Sequence, residues 1–418
     1  MQTLLQFLSL ADPNVRYVVL GTMLLTSSSA MVGSFALLKK KALVGDAIAH
    51  AVFPGVCLSF ILTGDKHPIY LTLGAFATSW LSLYLIDIMP VHTKIKEDTA
   101  IALVLSITFG LGTLLLSIIQ RSGNAAQVGL SNFLFGKAAA LLGDDLLTLA
   151  ILSLFITITL ILFFKEFALI AFDKAFAQAI GLPVRHLEAV FTSLTVLAIV
   201  LGIRAVGIVL MAAMLITPAA AARLWTDQLP KMVLLSAVLG MIASIAGSFV
   251  SYIAPGMSTG PWIVLAITLI AYSSLLLAPR KGLLAKKLRR RRHQQKTLAE
   301  NILKLFYELG EREGEHFFHR PAAQLLVHRP MPLHILMHGL RSLQRQGLVQ
   351  QRGDTWRLTE VGEYLGQQIS QRHQLWEFYL TRHLKIKPDH VHEDAESIEH
   401  VLTPTLVREL RKSLENMQ

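Results

Sequence analysis

Only one cysteine, Cys57, occurs in the 418 residues, and it lies in an apolar run. That excludes a disulfide framework and a cysteine-based zinc knuckle. Charge is also scarce: 16% of residues are Asp, Glu, Lys or Arg, where a soluble globular chain carries about a quarter. The pattern G-x-x-x-x-G-K-[ST] occurs nowhere, so the chain has no phosphate-binding loop and is not expected to be an enzyme that hydrolyses ATP. No basic segment precedes the first apolar stretch, which is long enough to span a bilayer. A cleavable signal peptide is therefore not expected.

What the sequence does have is hydrophobicity. Apolar residues make up 53% of the chain and the mean hydropathy is +0.51, so much of it is expected to face lipid. A spanning helix needs about 20 apolar residues. Such stretches run near 16–38, 43–63, 68–89, 99–119, 145–164, 186–203, 205–225, 231–253 and 258–278. The long run from Ala189 to Trp225 is broken only around Gly202 and Arg204, so the count is eight or nine. LSNFLFGKAAALL (130–142) reads as a short interfacial or re-entrant helix.

The net charge is +11, and the basic residues concentrate in KKK (39–41), in RKGLLAKKLRRRRHQQK (280–296) and in the last third. Under a nine-span arrangement the Lys/Arg-rich loops all fall on one side, which the positive-inside rule makes cytoplasmic. The tetra-arginine run then reads as a positive-inside stop rather than a nucleic-acid patch.

Beyond Lys296 no apolar run is long enough to span. LAENILKLFYEL and PLHILMHGLRSLQRQGLV have helical apolar spacing. GLVQQRGDTWRLTEVG reads as strand, tight turn at Arg352-Gly353-Asp354, and strand. Two helices and a hairpin outline a winged helix-turn-helix. In it Pro332 is placed to open the second helix, and Arg341 and Arg345 are placed to reach phosphates or to stand as surface charges. Two amphipathic helical stretches follow, VGEYLGQQISQRHQLWEFYLTRHL and DHVHEDAESIEHVL.

Two sets of residues carry candidate chemistry. In GDAIAHAVFPG, Asp46 and His50 are spaced i, i+4, on one face of the second span. Ionisable groups are costly in a bilayer and usually face a cavity on a substrate path. A carboxylate with an imidazole suits Mn²⁺, Fe²⁺ or Zn²⁺ better than Cu⁺, which prefers sulfur. A plainer reading stands beside it: Asp46 caps the helix after Gly45, and His50 donates to a neighbouring carbonyl. In the tail, His373 and Glu377, His392 and Glu396, and Glu396 and His400 are i, i+4 pairs, and Glu396 and Glu399 are i, i+3. These helices can build an oxygen- and nitrogen-rich metal site, or be solvated faces. In AVGIVLMAAMLITPAAAA, Pro218 either kinks a packing helix or breaks one whose carbonyls line a cavity. Met211 and Met214 read as core, and Arg204 as an interfacial group.

GDAIAHAVFPGVCLSFIL, DTAIALVLSITFGLG, SNFLFGKAAAL, FDKAFAQAIGLPV and RAVGIVLMAAMLITPAAAARL together resemble the permease family of manganese, zinc and iron ABC importers, over residues 10–280. The resemblance implies that Asp46 and His50 contact the passing metal. It implies that FDKAFAQAIGLPV is a coupling helix docked in a cleft of a separate ATPase, with Ala175, Ala179 and Gly181 allowing close approach. The implied partners are that ATPase, an extracytoplasmic metal-binding protein and a second permease, identical or paralogous. The implied place is the bacterial cytoplasmic (inner) membrane, with the C-terminal domain cytoplasmic.

The tail is similar to the iron- and manganese-dependent (DtxR-type) repressor family, chiefly through LTEVGEYL, RHQLWEFYL and VHEDAESIEHVL. That similarity implies a primary site from His373, Glu396, Glu399 and His400, and a second from His373 or Glu377 with His392. Glu396 in place of cysteine points to Mn²⁺ over Fe²⁺ as the regulatory ion. Further ligands from the family's first helix fall on Asn301 and Lys304, of which lysine is no ligand.

The expected architecture is an all-α polytopic membrane domain of eight or nine transmembrane helices (1–280), followed by a soluble, mainly α tail. The tail divides into a basic linker (281–297), a winged-helix-like domain (298–362) and a helical metal-binding and dimerisation-like domain (363–418). The expected function is a permease subunit for Mn²⁺, Zn²⁺ or Fe²⁺, with no permanently bound cofactor. The tail is a metal sensor, a metal-dependent DNA-binding repressor, or a scaffold that senses nothing.

Overall fold

A computed structural model describes residues 6–7, 9–39, 43–64, 67–121, 143–254 and 257–383. The stretch 130–142 lies outside them. The chain divides into two compact units, Met1–Ala285 and Lys286–Gln418.

The first unit is helical. Its helices are α1 (Pro13–Leu38), α2 (Val44–Thr63), α3 (Pro68–His92), α4 (Glu97–Arg121), α5 (Gly143–Leu162), α6 (Phe164–Phe172), α7 (Lys174–Ala179), α8 (Val184–Val206), α9 (Ile208–Trp225), α10 (Leu229–Ile253) and α11 (Thr259–Leu277). Proline opens several of them because its missing amide hydrogen is not needed in the first turn. Pro13 and Pro68 stand at such positions, and the Asp12 carboxylate accepts the Asn14 amide at 2.9 Å to cap α1. Among the described residues seven helices are long and apolar enough to cross a membrane, and an eighth span forms if α5 and α6, bent by 67°, count as one. The apolar run 189–225 is two helices. They part at Gly207, whose φ of 93° no L side chain readily adopts, and not at Gly202 or Arg204. Helix α9 has 18 residues, about 27 Å at 1.5 Å each, short of the usual hydrocarbon thickness. It runs unbroken through Pro218.

Helices in a bilayer gain little from burying apolar surface against each other, so close backbone approach and interhelical hydrogen bonds hold them together. Helix α2 packs on α3 and α4, and α1 packs on α10. The α2–α3 crossing is glycine on glycine. A Cβ added to Gly55 would lie 2.3 Å from the Gly74 carbonyl oxygen, and one on Gly74 would lie 2.5 Å from that of Gly55. Thr78 fastens the same crossing by donating to the Ala51 carbonyl at 2.8 Å. Between α1 and α10, Ser34 and Ser236 share a hydrogen bond of 2.8 Å, and Ser244 donates to Thr22 at 2.7 Å. Met211 and Met214 are buried in this core, as the sequence suggested.

The second unit follows α12 (Leu283–Glu313) with β1 (Arg320–Pro321), α13 (Ala322–His328), α14 (Leu333–Arg345), β2 (Val349–Arg352), β3 (Thr355–Leu358) and α15 (Glu360–His383). Most of the expected basic linker, 281–297, is helical and forms the first half of α12. Helix α14 begins directly after Pro332 and closes at Gly347, which has a φ of 72°. The hairpin β2–β3 turns at Gly353, with a φ of 59°, and β1 adds to its far edge to give the order β1-β3-β2. Trp356, Phe306, Leu336, Leu340 and Leu343 fill the core beneath.

Candidate metal site

Helix α2 is anchored at its centre by the Gly55–Gly74 crossing, and its first turns carry Asp46 and His50. Asp46 sits inside the helix. The N-cap is Leu43, and no side chain bonds the first amides. The capping reading is thus replaced by another: a carboxylate in the first turn, where the helix dipole favours negative charge. His50 Nε2 lies 3.6 Å from Asp46 Oδ1, and His50 Nδ1 is buried with no hydrogen-bond partner. Among the described residues the imidazole bonds no carbonyl, although the plainer reading required one. Its ring stands edge-on to Phe109 of α4, with centroids 5.1 Å apart. Asp46 keeps 44% of its side-chain surface exposed, against 18% for His50. The pair is therefore a half-open carboxylate backed by a more enclosed imidazole.

Two further features mark this end of α2, one on the face of the pair and one on the other side of the helix. Pro54 lies inside α2 and has no amide hydrogen, so the His50 carbonyl lacks its usual helical donor. Gly45 meets α9: a Cβ there would touch Leu215 at 3.0 Å. Gly45 and Ile48 also line a cavity of about 220 Å³, whose wall includes Asp87, Lys174 and Glu188. A neighbouring cavity of about 420 Å³ shares Lys39, Asp87, Lys174 and Glu188 and adds Glu97. The first turn of α2 thus adjoins charged, water-sized space.

Glu188 ties that space to α7. Its carboxylate accepts from Lys174 Nζ at 2.8 Å, and Asp173 caps α7 by accepting the Phe176 amide at 2.9 Å. Ala175, Ala179 and Gly181 are all exposed. Sequence reasoning missed their apolar neighbours. Phe172, Phe176 and Ile180 are 64%, 52% and 53% exposed, and their i, i+4, i+8 spacing was legible.

Among the described residues no group of three or more His, Cys, Asp or Glu could hold a metal ion. Asp46 and His50 thus stand as a two-residue pair, with no third such side chain grouped with them among the described residues. In the second unit, His373 and Glu377 fall one turn apart on α15, while His392, Glu396, Glu399 and His400 lie outside the described residues. Asn301 Oδ1 is buried without a hydrogen-bond partner, and Lys304 is buried with Nζ 3.9 Å from Glu308 Oε1. A buried ammonium disfavours a cation beside it.

Residues 11–278 match the ABC 3 transport family. The chain belongs to that family. The permease is 38% identical to the manganese transport system membrane protein MntC of Bacillus subtilis, over 91% of its own length and 87% of that protein. It is 41% identical to the zinc transport system membrane protein TroC of Treponema pallidum, over 68% of its length and 95% of that protein. Among solved structures, PsaBC from Streptococcus pneumoniae in complex with Fab superposes with a TM-score of 0.60 at 31% identity, over 68% of this chain and 99% of that one. Residues 359–418 match the iron dependent repressor, metal binding and dimerisation domain. The permease thus carries a repressor-like domain at its C-terminal end.

Proposed function

We propose that this permease conducts Mn²⁺, or a divalent ion of similar chemistry such as Zn²⁺ or Fe²⁺, and that Asp46 and His50 bind the ion in passing. The observation that supports this is the pair itself. A carboxylate and an imidazole lie 3.6 Å apart on one helical face, the imidazole with an unpartnered buried nitrogen. A hard oxygen with a borderline nitrogen selects these ions over Cu⁺. Relatives named for manganese and zinc transport agree with it.

The remaining parts of an importer come from partners. A separate cytoplasmic ATPase docks on α7, with Phe172, Phe176 and Ile180 entering its cleft and Ala175, Ala179 and Gly181 permitting close approach. An extracytoplasmic protein delivers the ion, and a second permease, identical or paralogous, completes the path. The chain sits in the bacterial cytoplasmic membrane with its tail inside. The test is uptake of radioactive Mn²⁺, Zn²⁺ and Fe²⁺ by the reconstituted complex. Asp46→Ala and His50→Ala should each abolish uptake without loss of assembly, and wild-type rates in both would refute the site.

A second role for the tail has its own support. His334, His338, Arg341 and Arg345 recur along one exposed face of α14, and Arg352 and Arg357 lie on the hairpin, the arrangement a groove-reading helix needs. Retention of duplex DNA by the full chain only in the presence of Mn²⁺ or Fe²⁺ would establish a metal-dependent DNA-binding tail. Metal binding without DNA would make it a sensor in place, and neither would leave a scaffold.

A further inference from the structure

The first half of α12 is unusual for a helix. From Lys286 to Lys296 every residue is exposed, and seven of the eleven are Lys or Arg. Nine basic residues and no acid occur between Ala278 and Ala299. Helix neighbours at i, i+3 and i+4 are then repeatedly like-charged: Lys286 with Arg289 and Arg290, Lys287 with Arg290 and Arg291, and Arg292 with Lys296. Such pairs weaken a helix. Lys281 pairs with Asp227, and Lys296 lies 3.7 Å from Glu300, yet the run 286–296 keeps a large excess of positive charge in an exposed stretch, a surface suited to a polyanion.

Two observations identify it. The helix starts six residues after α11 ends at Leu277, a reach of at most about 20 Å, so Leu283 cannot leave the neighbourhood of the bilayer. Leu283, Leu284 and Leu288 are also exposed, at 51%, 49% and 55%, and Leu284 and Leu288 share one face. A nucleic-acid backbone has no use for exposed leucine beside arginine. A lipid headgroup layer takes both, apolar side chains below and long basic stems reaching the phosphates.

We propose that residues 283–296 form a docking helix for anionic lipid headgroups in the folded permease. This differs from the positive-inside effect, which needs the charges only during insertion. Each Lys or Arg at an anionic surface raises the ratio of docked to undocked helix about fivefold, so removing four lowers that ratio several-hundredfold.

The test uses the full-length protein. Cys57 is buried, so a single introduced cysteine takes the label. Gln295→Cys, placed on the Leu284 and Leu288 face, carries a polarity-sensitive fluorophore. The protein is placed in nanodiscs of either phosphatidylglycerol or phosphatidylcholine. The expected result is blue-shifted emission in phosphatidylglycerol only. The shift should reverse at about 0.5 M salt, where charges are screened beyond a few ångströms, and vanish in the R289Q/R290Q/R291Q/R292Q variant. Equal emission in both lipids overturns the proposal, as does a shift that ignores both salt and the four substitutions. A shift produced by duplex DNA in phosphatidylcholine discs, and absent in phosphatidylglycerol alone, makes the helix a nucleic-acid surface instead.

Discussion

Asp46→Asn is the most informative single change, because it keeps the shape and an oxygen while removing one charge. Asp46 is half-exposed and 3.6 Å from His50, so an ion bound between them lies about 4 Å or less from the carboxylate. A unit charge pair at that distance is worth about 1 kcal/mol in water and about 4 at an effective dielectric of 20. A divalent ion doubles both figures, so the loss falls between about 2 and 8 kcal/mol. Exposure places the true value nearer the lower end. Even there, about 2 kcal/mol corresponds to roughly a 30-fold loss of affinity. The assay is initial-rate uptake of radioactive Mn²⁺ by proteoliposomes, with permease and ATPase shown to co-purify. The half-saturating concentration should rise at least 30-fold, and saturating metal should restore part of the rate. An unchanged half-saturating concentration would refute the idea that the carboxylate meets the ion. A lost maximal rate at unchanged half-saturation would assign Asp46 to helix movement instead.

Glu188→Gln removes the charge from the 2.8 Å ion pair with Lys174 while keeping an acceptor oxygen. An exposed pair of this kind is worth at most about 1 kcal/mol, so the ratio of ions moved to ATP hydrolysed should fall by no more than about fivefold, and an unchanged ratio would exclude a transmitting role. Gly55→Val places a Cβ 2.3 Å from the Gly74 oxygen. Overpacking of about 1–3 kcal/mol should lower the melting temperature of the solubilised protein, whereas Gly64→Ala at an open, strained turn should act only through its φ of 66°. Trp356→Ala empties the centre of the second unit and should cost about 3–5 kcal/mol, read as protease sensitivity confined to the tail. The hydrogen bond from Lys281 holds the Asp227 carboxyl below its ordinary range, with the Lys281, Arg223 and Arg280 charges adding to it. A depressed carboxyl stabilises above its unfolded pKa and stops doing so as pH falls through the folded one. Spin labels flanking 227 and 281 should therefore stay close at pH 5 and separate only below about pH 3.9. Separation at higher pH would contradict the pairing.

The spans were legible because apolar length is a coarse and robust signal, and Asp46 with His50 because four residues fix a shared face. The break in the 189–225 run was misplaced for a reason specific to glycine. Gly202 and Gly207 look alike in sequence, yet Gly202 is small so that Met211 can pack against it, while Gly207 is needed for its backbone angle. Phe172, Phe176 and Ile180, though regularly spaced, stand out only once the structure leaves them exposed, because apolar residues in an apolar-rich segment carry no signal of their own in the sequence. Strand β1 escaped because two residues, one of them proline, carry no periodicity and gain strand geometry only by pairing with β3. His373 and Glu377 kept their helical spacing, but spacing within one helix does not say what a second helix brings to meet it.

For the proposed ion path, the contact between Gly55 and Gly74 sets a limit on how a gate near His50 would work. Two main chains that touch have no side chain between them to swing aside, and Thr78 pins them further. Helices α2 and α3 must then travel as one lever. Any opening beside the imidazole then falls to the flank held by Phe109, an ordinary side chain edge-on to the ring, where a change of rotamer is enough.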